Sequence, residues 1–383
     1  MTDPVTNPVT NPIPFIDLQA QRRRLGAPLE AAIKGAVEGG QWILGPQVAQ
    51  FEKDVAQWAG VRHAVGCANG TDALLLFLRA WGVGAGDAVF VPAFTFAASA
   101  EVVALAGAAP VFVDVLSDTF NMDPVSLEAA IGLVKKEGRL TPKVVMPVDL
   151  FGQPADYRSL QPIARREGLK LLCDTAQGFG AVMDGKRTGS IGDAAATSFF
   201  PAKPLGCYGD GGACFTDDDG LKDRLLSLRM HGQGRDRYEH VAIGLNSRLD
   251  TIQAAILIEK LKIFEDEIER RNQIARRYTD AFAGSNRIKT PVVLEGVTST
   301  WASYTLQVQG RARFQADLKQ AGVPTMVYYP IPLSRQPAYA HYPSAPTPVS
   351  QALSSHVVSL PMHPYLDEET QDRVIGAVLA TAG

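Results

Sequence analysis

The sequence predicts an α/β protein of two domains, a large one on a mostly parallel seven-stranded sheet and a smaller C-terminal α/β one. Three observations carry this expectation. At 383 residues the chain is longer than the roughly 250–300 residues at which a single core stops growing. Hydrophobic residues make up 46% and charged residues 20%, an ordinary globular balance that excludes a disordered or fibrous chain. From about Val61 to Thr216, short apolar runs alternate with helical patterns, as βαβ units with a buried parallel sheet do.

Taken in order, Thr2 to Pro12 contain the phrase Val-Thr-Asn-Pro twice, and such residues build no core, so a flexible extension is expected over 1–13. An amphipathic helix follows through Leu25, Leu29, Ile33 and Val37, stopped by Gly39 and Gly40. Seven strands are expected at Ala64–Cys67, Ala88–Pro92, Pro110–Asp114, Val144–Val148, Lys170–Asp174, Ala196–Phe199 and Gly212–Phe215, within a large domain over 14–250. Apolar residues at Leu249, Ile252, Ile256, Leu261, Phe264 and Ile268 then repeat at the helical period, predicting one long connecting helix that opens the region 251–383. Beyond it, strand-like runs at Tyr304–Val308 and Met326–Tyr329 and a helix after Asp367 complete the small domain.

Net charge is −3, with no basic stretch interleaved with aromatics, which argues against nucleic acid and favours a small-molecule partner. Neither a signal-like start nor an apolar run of about 18 residues is present, so no membrane span is expected and the chain is expected in the cytoplasm. Cys67, Cys173, Cys207 and Cys214 stand singly, without C-x-x-C spacing, so no metal site is expected and buried core thiols are.

Four segments carry chemistry, each just after an expected strand. Lys203 follows Phe199, Phe200 and Pro201 and precedes a glycine-rich turn, a setting that would desolvate its amine and make it a nucleophile and proton carrier. Asp174 closes an apolar strand at the edge where open α/β sheets bind ligands; it would suit a pyridinium nitrogen or equally cap the next turn. At Cys67-Ala-Asn-Gly-Thr71-Asp72 a strand enters a helix whose first amides and Thr71 hydroxyl would hold a phosphate, or whose Asn69 or Thr71 is a plain N-cap. Phe96 would stack on a flat ring or lie in the core.

Together these residues resemble the DegT/DnrJ/EryC1/StrS sugar aminotransferases, pyridoxal 5'-phosphate (PLP) enzymes of the aspartate-aminotransferase fold, known as fold type I. The resemblance rests on Ser198-Phe-Phe-Pro-Ala-Lys203, Asp174-x-x-Gln177, Gly70-Thr71-x-Ala73-Leu74 and Gly244-x-Asn246-x-Arg248-x-Asp250-x-x-Gln253. It implies that Lys203 carries PLP as a Schiff base, Asp174 pairs with the ring nitrogen, Gln177 lies by the ring hydroxyl and Phe96 stacks on the ring. Thr71, the backbone of Asp72, Ser198 and the neighbouring subunit's copy of Asn246 would hold the phosphate, making the enzyme a homodimer with shared sites. Dehydratases of this family carry histidine where Lys203 stands, so transamination is implied.

Within the family the chain is most similar to enzymes that aminate C3 of a UDP-linked 2-acetamido-2-deoxy-3-oxo-glucuronate for bacterial O-antigen and lipopolysaccharide synthesis. Gly40-Gln-Trp-Ile-Leu-Gly-Pro46, Asn246-Ser-Arg-Leu-Asp and Tyr329-Pro-Ile-Pro-Leu333 look like that subgroup, while Tyr328 departs from a common histidine. The implied amino donor is glutamate. Arg248 is the candidate for the uronate carboxylate, with an intersubunit salt bridge as its other reading. Gly40, Trp42, Ala202, Tyr328 and Tyr329 are the candidate sugar contacts, each open to a packing role. Two alternatives stand beside this: an aminotransferase for another nucleotide-linked keto sugar, such as a dTDP-3-keto-6-deoxyhexose or a 4-keto sugar, and a non-catalytic PLP-binding regulatory protein.

Overall fold

The computed structural model describes residues 12–382. Seven strands form one sheet: β1 (His63–Cys67), β2 (Asp87–Pro92), β3 (Ala109–Val113), β4 (Thr141–Val145), β5 (Lys170–Asp174), β6 (Ala194–Ser198) and β7 (Gly212–Thr216). Their order is β1-β7-β6-β5-β4-β2-β3. Neighbours pair in parallel except at β7, which is antiparallel to both β1 and β6. Strands β1 to β6 therefore point one way, and their carboxyl ends share one edge.

Both faces of this sheet are covered. Phe90, Val111 and Val145 pack into one core layer and Val89, Val91, Phe112 and Val144 into the other, following the two-residue period of a strand. Helix α1 spans Leu18–Glu38 and α2 spans Pro46–Ala59, which buries Val48, Phe51 and Val55 against the first face. Helix α3 (Gly70–Ala80) covers the other with Leu74 to Leu78, all buried. Such two-sided burial leaves long apolar runs in the sequence, which is why all seven strands were legible. The β4 ladder lies three residues earlier than expected, because Thr141-Pro-Lys gives no apolar signal. The expected residues still bond sideways: the Met146 N–H donates to the Phe90 carbonyl (2.9 Å), and Val148 bridges Asp174.

The small domain is a three-stranded antiparallel sheet of Ile288–Lys289, Tyr304–Val308 and Val357–Leu360, backed by the helix Glu368–Ala382. Three expectations are corrected here. The connecting helix is two helices, Thr251–Leu261 and Phe264–Phe282, broken by a turn at Lys262–Ile263. That turn lets Ile263 pack beside Leu25 and Leu29 while Phe264 reaches Trp58 and Phe179, contacts that consecutive positions of a straight helix would send about 100° apart. The first of the two belongs to the large domain, since Ala254 and Leu257 lie in its core; Phe264–Phe282 crosses over, with Ile268 in the large core and Tyr278 in the small one. Met326–Tyr329 is not a strand: only Met326 bridges to Ser359, after which the chain leaves the sheet and carries Tyr328 and Tyr329 toward the other domain.

The third correction concerns the N-terminus. Residues 1–11 of the expected extension lie outside the described residues, but Ile13 is buried in the small-domain core. The Phe15 carbonyl accepts the Met362 N–H (3.3 Å), so residues 13–16 run along the small domain before α1 joins the large one. Their apolar run is too short to announce a long-range contact.

The sheet edge is packed tightly where β7 begins. A Cβ added to Gly212 would sit 2.4 Å from the carbonyl of Asn69 and 2.9 Å from the Gly70 nitrogen. Gly212→Ala is expected to cost about 1–3 kcal/mol of stability, read from the urea midpoint, by pushing the β1–α3 turn outward.

Candidate active site

A cavity of about 440 Å³ opens at the shared carboxyl edge of β1 to β6. Each wall comes from a turn that follows a strand: Asn69 to Thr71 after β1, Thr95 and Phe96 after β2, Val148 after β4, Asp174 to Gln177 after β5, and Ser198 to Lys203 after β6. Phe15 and Ile16 from the N-terminal segment, with Ala302, Ser303, Tyr328 and Tyr329 from the second domain, complete it. Nine of the residues singled out from the sequence thus meet here: Thr71, Phe96, Asp174, Gln177, Ser198, Ala202, Lys203, Tyr328 and Tyr329.

Electrostatics centre on two of them. The Asp174 carboxyl is pushed above the ordinary carboxylate range by burial, opposed by the Ala176 N–H (3.1 Å), the Lys203 charge and the Ser99 hydroxyl, which donates to Oδ2 (3.1 Å). Lys203 is pushed below the ordinary lysine range by burial, with the Asp174 charge pulling the other way. Among the described residues the Lys203 amine makes no hydrogen bond, so a desolvated amine faces the cavity opposite a buried carboxylate. That pairing suits a nucleophilic amine and a ligand with its own cationic group.

At the other end, α3 starts under the cavity. Asn69 caps it, its Oδ1 accepting the Asp72 N–H (2.8 Å). The Asp72 side chain does not line the cavity and its amide donates to the Asn69 cap, while the amides of Gly70 and Thr71, one turn position earlier, have no partner within the helix and lie at the cavity. A Cβ on Gly70 would lie 2.6 Å from the Ser198 Cβ, so this turn and the Ser198 turn meet only because glycine stands there. The Ser198 hydroxyl accepts the Phe200 N–H (3.2 Å).

Phe96 is 56% exposed, an aromatic face turned to a cavity rather than to the core. Gln177 is held at both ends, Oε1 accepting the Phe151 N–H (2.9 Å) and Nε2 donating to the Tyr329 hydroxyl (3.1 Å), a bond that links the two domains across the cavity. Burial raises the Tyr329 phenol above its ordinary range, so it stays protonated.

The remaining predicted residues do not line the cavity of their own chain. Gly40 is exposed, and Trp42 is 57% exposed, its Nε1 donating to the Val37 carbonyl (3.2 Å). Asn246 is exposed and Arg248 half-buried, while Ser247 between them is buried and its hydroxyl accepts the Ala68 N–H (3.2 Å) beside the α3 turn. Residues that the sequence reading missed are Ser99, Thr95, Ser303, Phe15 and Ile16. A serine in a helix and residues brought in from the second domain leave no periodic signal. Among the described residues no group of three or more His, Cys, Asp or Glu could hold a metal, and all four cysteines are buried and free.

The residues present fit PLP: an unbonded amine for its aldehyde, a buried carboxylate for its ring nitrogen, an exposed aromatic face and a glycine-lined helix start for its phosphate. Comparison with known proteins agrees. Residues 24–379 match the DegT/DnrJ/EryC1/StrS aminotransferase family. The chain is 48% identical over 357 residues to the UDP-2-acetamido-2-deoxy-3-oxo-D-glucuronate aminotransferase of Pseudomonas aeruginosa, covering 93% of this chain and 96% of that one. The solved structure of a DegT DnrJ EryC1 StrS aminotransferase from Brucella abortus superposes with a TM-score of 0.95 at 53% identity, covering 97% of this chain and 100% of that one. NtdA from Bacillus subtilis, solved with the bound cofactor PMP, gives a TM-score of 0.89 at 29% identity, covering 98% and 86%.

Because the Ser99 hydroxyl bonds the Asp174 carboxylate, Ser99→Ala is expected to raise the pKa of Asp174 further and to weaken PLP affinity about tenfold, the weight of a hydrogen bond to a charged group. Equilibrium titration of the apoprotein with PLP measures it.

Proposed function

Since the chain belongs to the DegT/DnrJ/EryC1/StrS aminotransferase family, we propose that it transfers an amino group from glutamate to C3 of a UDP-linked 2-acetamido-2-deoxy-3-oxo-hexuronate. The observation that carries the chemistry is the unbonded Lys203 amine opposite Asp174. The sugar comes from the Pseudomonas aeruginosa relative, whose similarity spans nearly the whole of both chains.

Bound in the cavity, PLP supplies an electrophilic carbon and an electron sink for the carbon that loses its proton. Lys203 Nζ would hold the cofactor and would serve as the base that moves a proton at the substrate carbon; its desolvation keeps a neutral fraction available. Asp174 would keep a proton on the ring nitrogen, Gln177 would stand by the ring hydroxyl and Phe96 would cover one ring face, while Gly70, Thr71, the backbone of Asp72 and Ser198 would hold the phosphate. Ala202, Tyr328 and Tyr329 shape the sugar end, with Tyr329 braced by Gln177.

The site is completed by a second copy of the chain. Trp42, Ile43, Val241 and Ile243 (85% exposed) are large apolar residues on the surface, a pattern that marks a protein interface. They adjoin the segment Asn246–Asp250: Ile43 bridges Asp250, the Thr251 N–H donates to the Trp42 carbonyl (3.0 Å), and Ile243 shortly precedes Asn246. In a homodimer Asn246 would reach the neighbour's cofactor phosphate and Arg248 the uronate carboxylate, with Gly40 and Trp42 at the rim of the same shared pocket. We place the enzyme in the cytoplasm, in bacterial O-antigen or lipopolysaccharide biosynthesis; among the described residues no helix is long and apolar enough to cross a membrane.

A neutral sugar is the second reading, favoured by one observation: among the described residues Lys203 is the sole cation lining the cavity. Arg248→Ala decides between the two. For a uronate, kcat/KM is expected to fall about 100-fold, the loss of a charge-assisted pair, and for a neutral nucleotide-linked keto sugar it should hold steady. The donor is tested by the half-reaction: glutamate should bleach the visible band of the PLP form in wild type, whereas Lys203→Ala should lack turnover. A wild-type enzyme indifferent to glutamate and other amino acids would count for a binding protein without catalysis.

A further inference from the structure

Asp149 lies just past β4, 0% exposed, and plays no part in the reaction as described so far. Its surroundings are unusual for a carboxylate. Oδ1 lies 2.6 Å from the Tyr157 hydroxyl and accepts the Ala155 N–H (2.9 Å), but among the described residues the buried Oδ2 has no hydrogen-bond partner. No lysine or arginine pairs with it among the described residues. The titratable groups that face it are Tyr157, on the helix Tyr157–Glu167, and Cys173 and Asp174, on β5.

What Asp149 touches are the turns that present the cofactor-facing residues. Its N–H donates to the Asp174 carbonyl (2.9 Å), and a Cβ built on Gly178 would fall 2.3 Å from its own Cβ, so the 174–178 turn rests directly on it. The loop it anchors through Ala155 also contains Phe151, whose N–H holds the Gln177 side chain. We propose that Asp149 is a positioning residue whose carboxyl, carrying a proton, supports both Asp174 and Gln177 beneath the cofactor ring. The inference rests on the cavity's being the PLP site.

A proton accounts for the hydrogen bonds. With Oδ1–H donating to the Tyr157 oxygen, Oδ1 still accepts from Ala155, Tyr157 is free to donate to the Cys173 sulfur, and the Cys173 thiol donates to the Ile191 carbonyl (3.2 Å). Every donor then has an acceptor, and the orphaned Oδ2 is a neutral carbonyl oxygen rather than half of a bare anion. Burial pushes the Asp149 carboxyl up to about 7, with Asp174 adding to the rise. An uncharged Asp149 leaves Asp174 as the one anion behind the ring nitrogen, undiluted by a second charge.

Full-length Asp149→Asn and Asp149→Ala test this with pyridoxamine 5'-phosphate, whose binding needs no bond to Lys203. Asp149→Asn, uncharged and of the same shape, is expected to keep affinity within about threefold, whereas Asp149→Ala loses tenfold or more; equal losses in both, or none in either, overturn the proposal. A second readout follows the proton. The folded carboxyl titrates above its unfolded value, so its stabilising contribution is complete below about pH 4 and is lost as pH rises through about 7. The Tm of Asp149→Asn relative to wild type should therefore climb between those values and level off above them, and a pH-independent difference overturns the proposal. Should both variants fail to fold, Tyr157→Phe leaves Asp149 in place and removes its hydroxyl partner: a fall in pyridoxamine 5'-phosphate affinity of about threefold supports the proposal, and unchanged affinity overturns it.

Discussion

A buried carboxylate and a desolvated, partly exposed amine, Asp174 at the end of β5 and Lys203 in the turn after β6, are the constraint around which this molecule is organised. Burial opposes both charges, and each is the other's partial relief. Neither site would be tolerable in an ordinary core. Six strands pointing the same way bring both to one edge, where turns can surround them without breaking the apolar layers on either face. The fold thus serves the charges: it supplies hydroxyl and amide donors from Ser99 and Ala176 and leaves the amine unbonded, ready for a covalent partner.

The walls divide by origin. Turns of the large domain contribute Thr71, Phe96, Asp174, Ser198 and Lys203, and the second domain with the N-terminal segment contributes Tyr328, Tyr329, Ser303 and Phe15. The Gln177–Tyr329 bond and the packing of Ile13 in the small-domain core tie these halves together. The large-domain residues sit on the rigid sheet edge, whereas the Tyr328–Tyr329 loop lies outside the sheet and can vary without disturbing it.

How much of this was legible in the sequence follows the same division. Lys203, Asp174, Thr71 and Phe96 follow apolar runs that can only be buried strands, and direction then fixes the edge at which they emerge. The break at Lys262–Ile263 left no trace, because no glycine or proline marks it and tertiary packing alone imposes it. Met326–Tyr329 has strand-forming residues, yet those tyrosines are drawn away to line a cavity. Asp149 carries no signal in the sequence, since only three-dimensional neighbours reveal its missing partner.

The position of β7 bears on how the chain is made. Strand β1 lies at an edge of the sheet and pairs with β7 alone, His63 opposite Thr216 and Cys67 opposite Gly212. During synthesis β1 therefore emerges long before its neighbour exists, and the loop to be closed includes the whole central sheet. Strands β2 to β6 can assemble on one another meanwhile, and α3 can settle on β6, but β1 has no ladder partner and the Asn69–Gly70 turn no Gly212 against it until the last strand slides in antiparallel. The β1 edge of the cavity is thus the last to be closed, and a nascent chain arrested before Gly212 would carry Asp174 and Lys203 while β1 still had no strand to pair with.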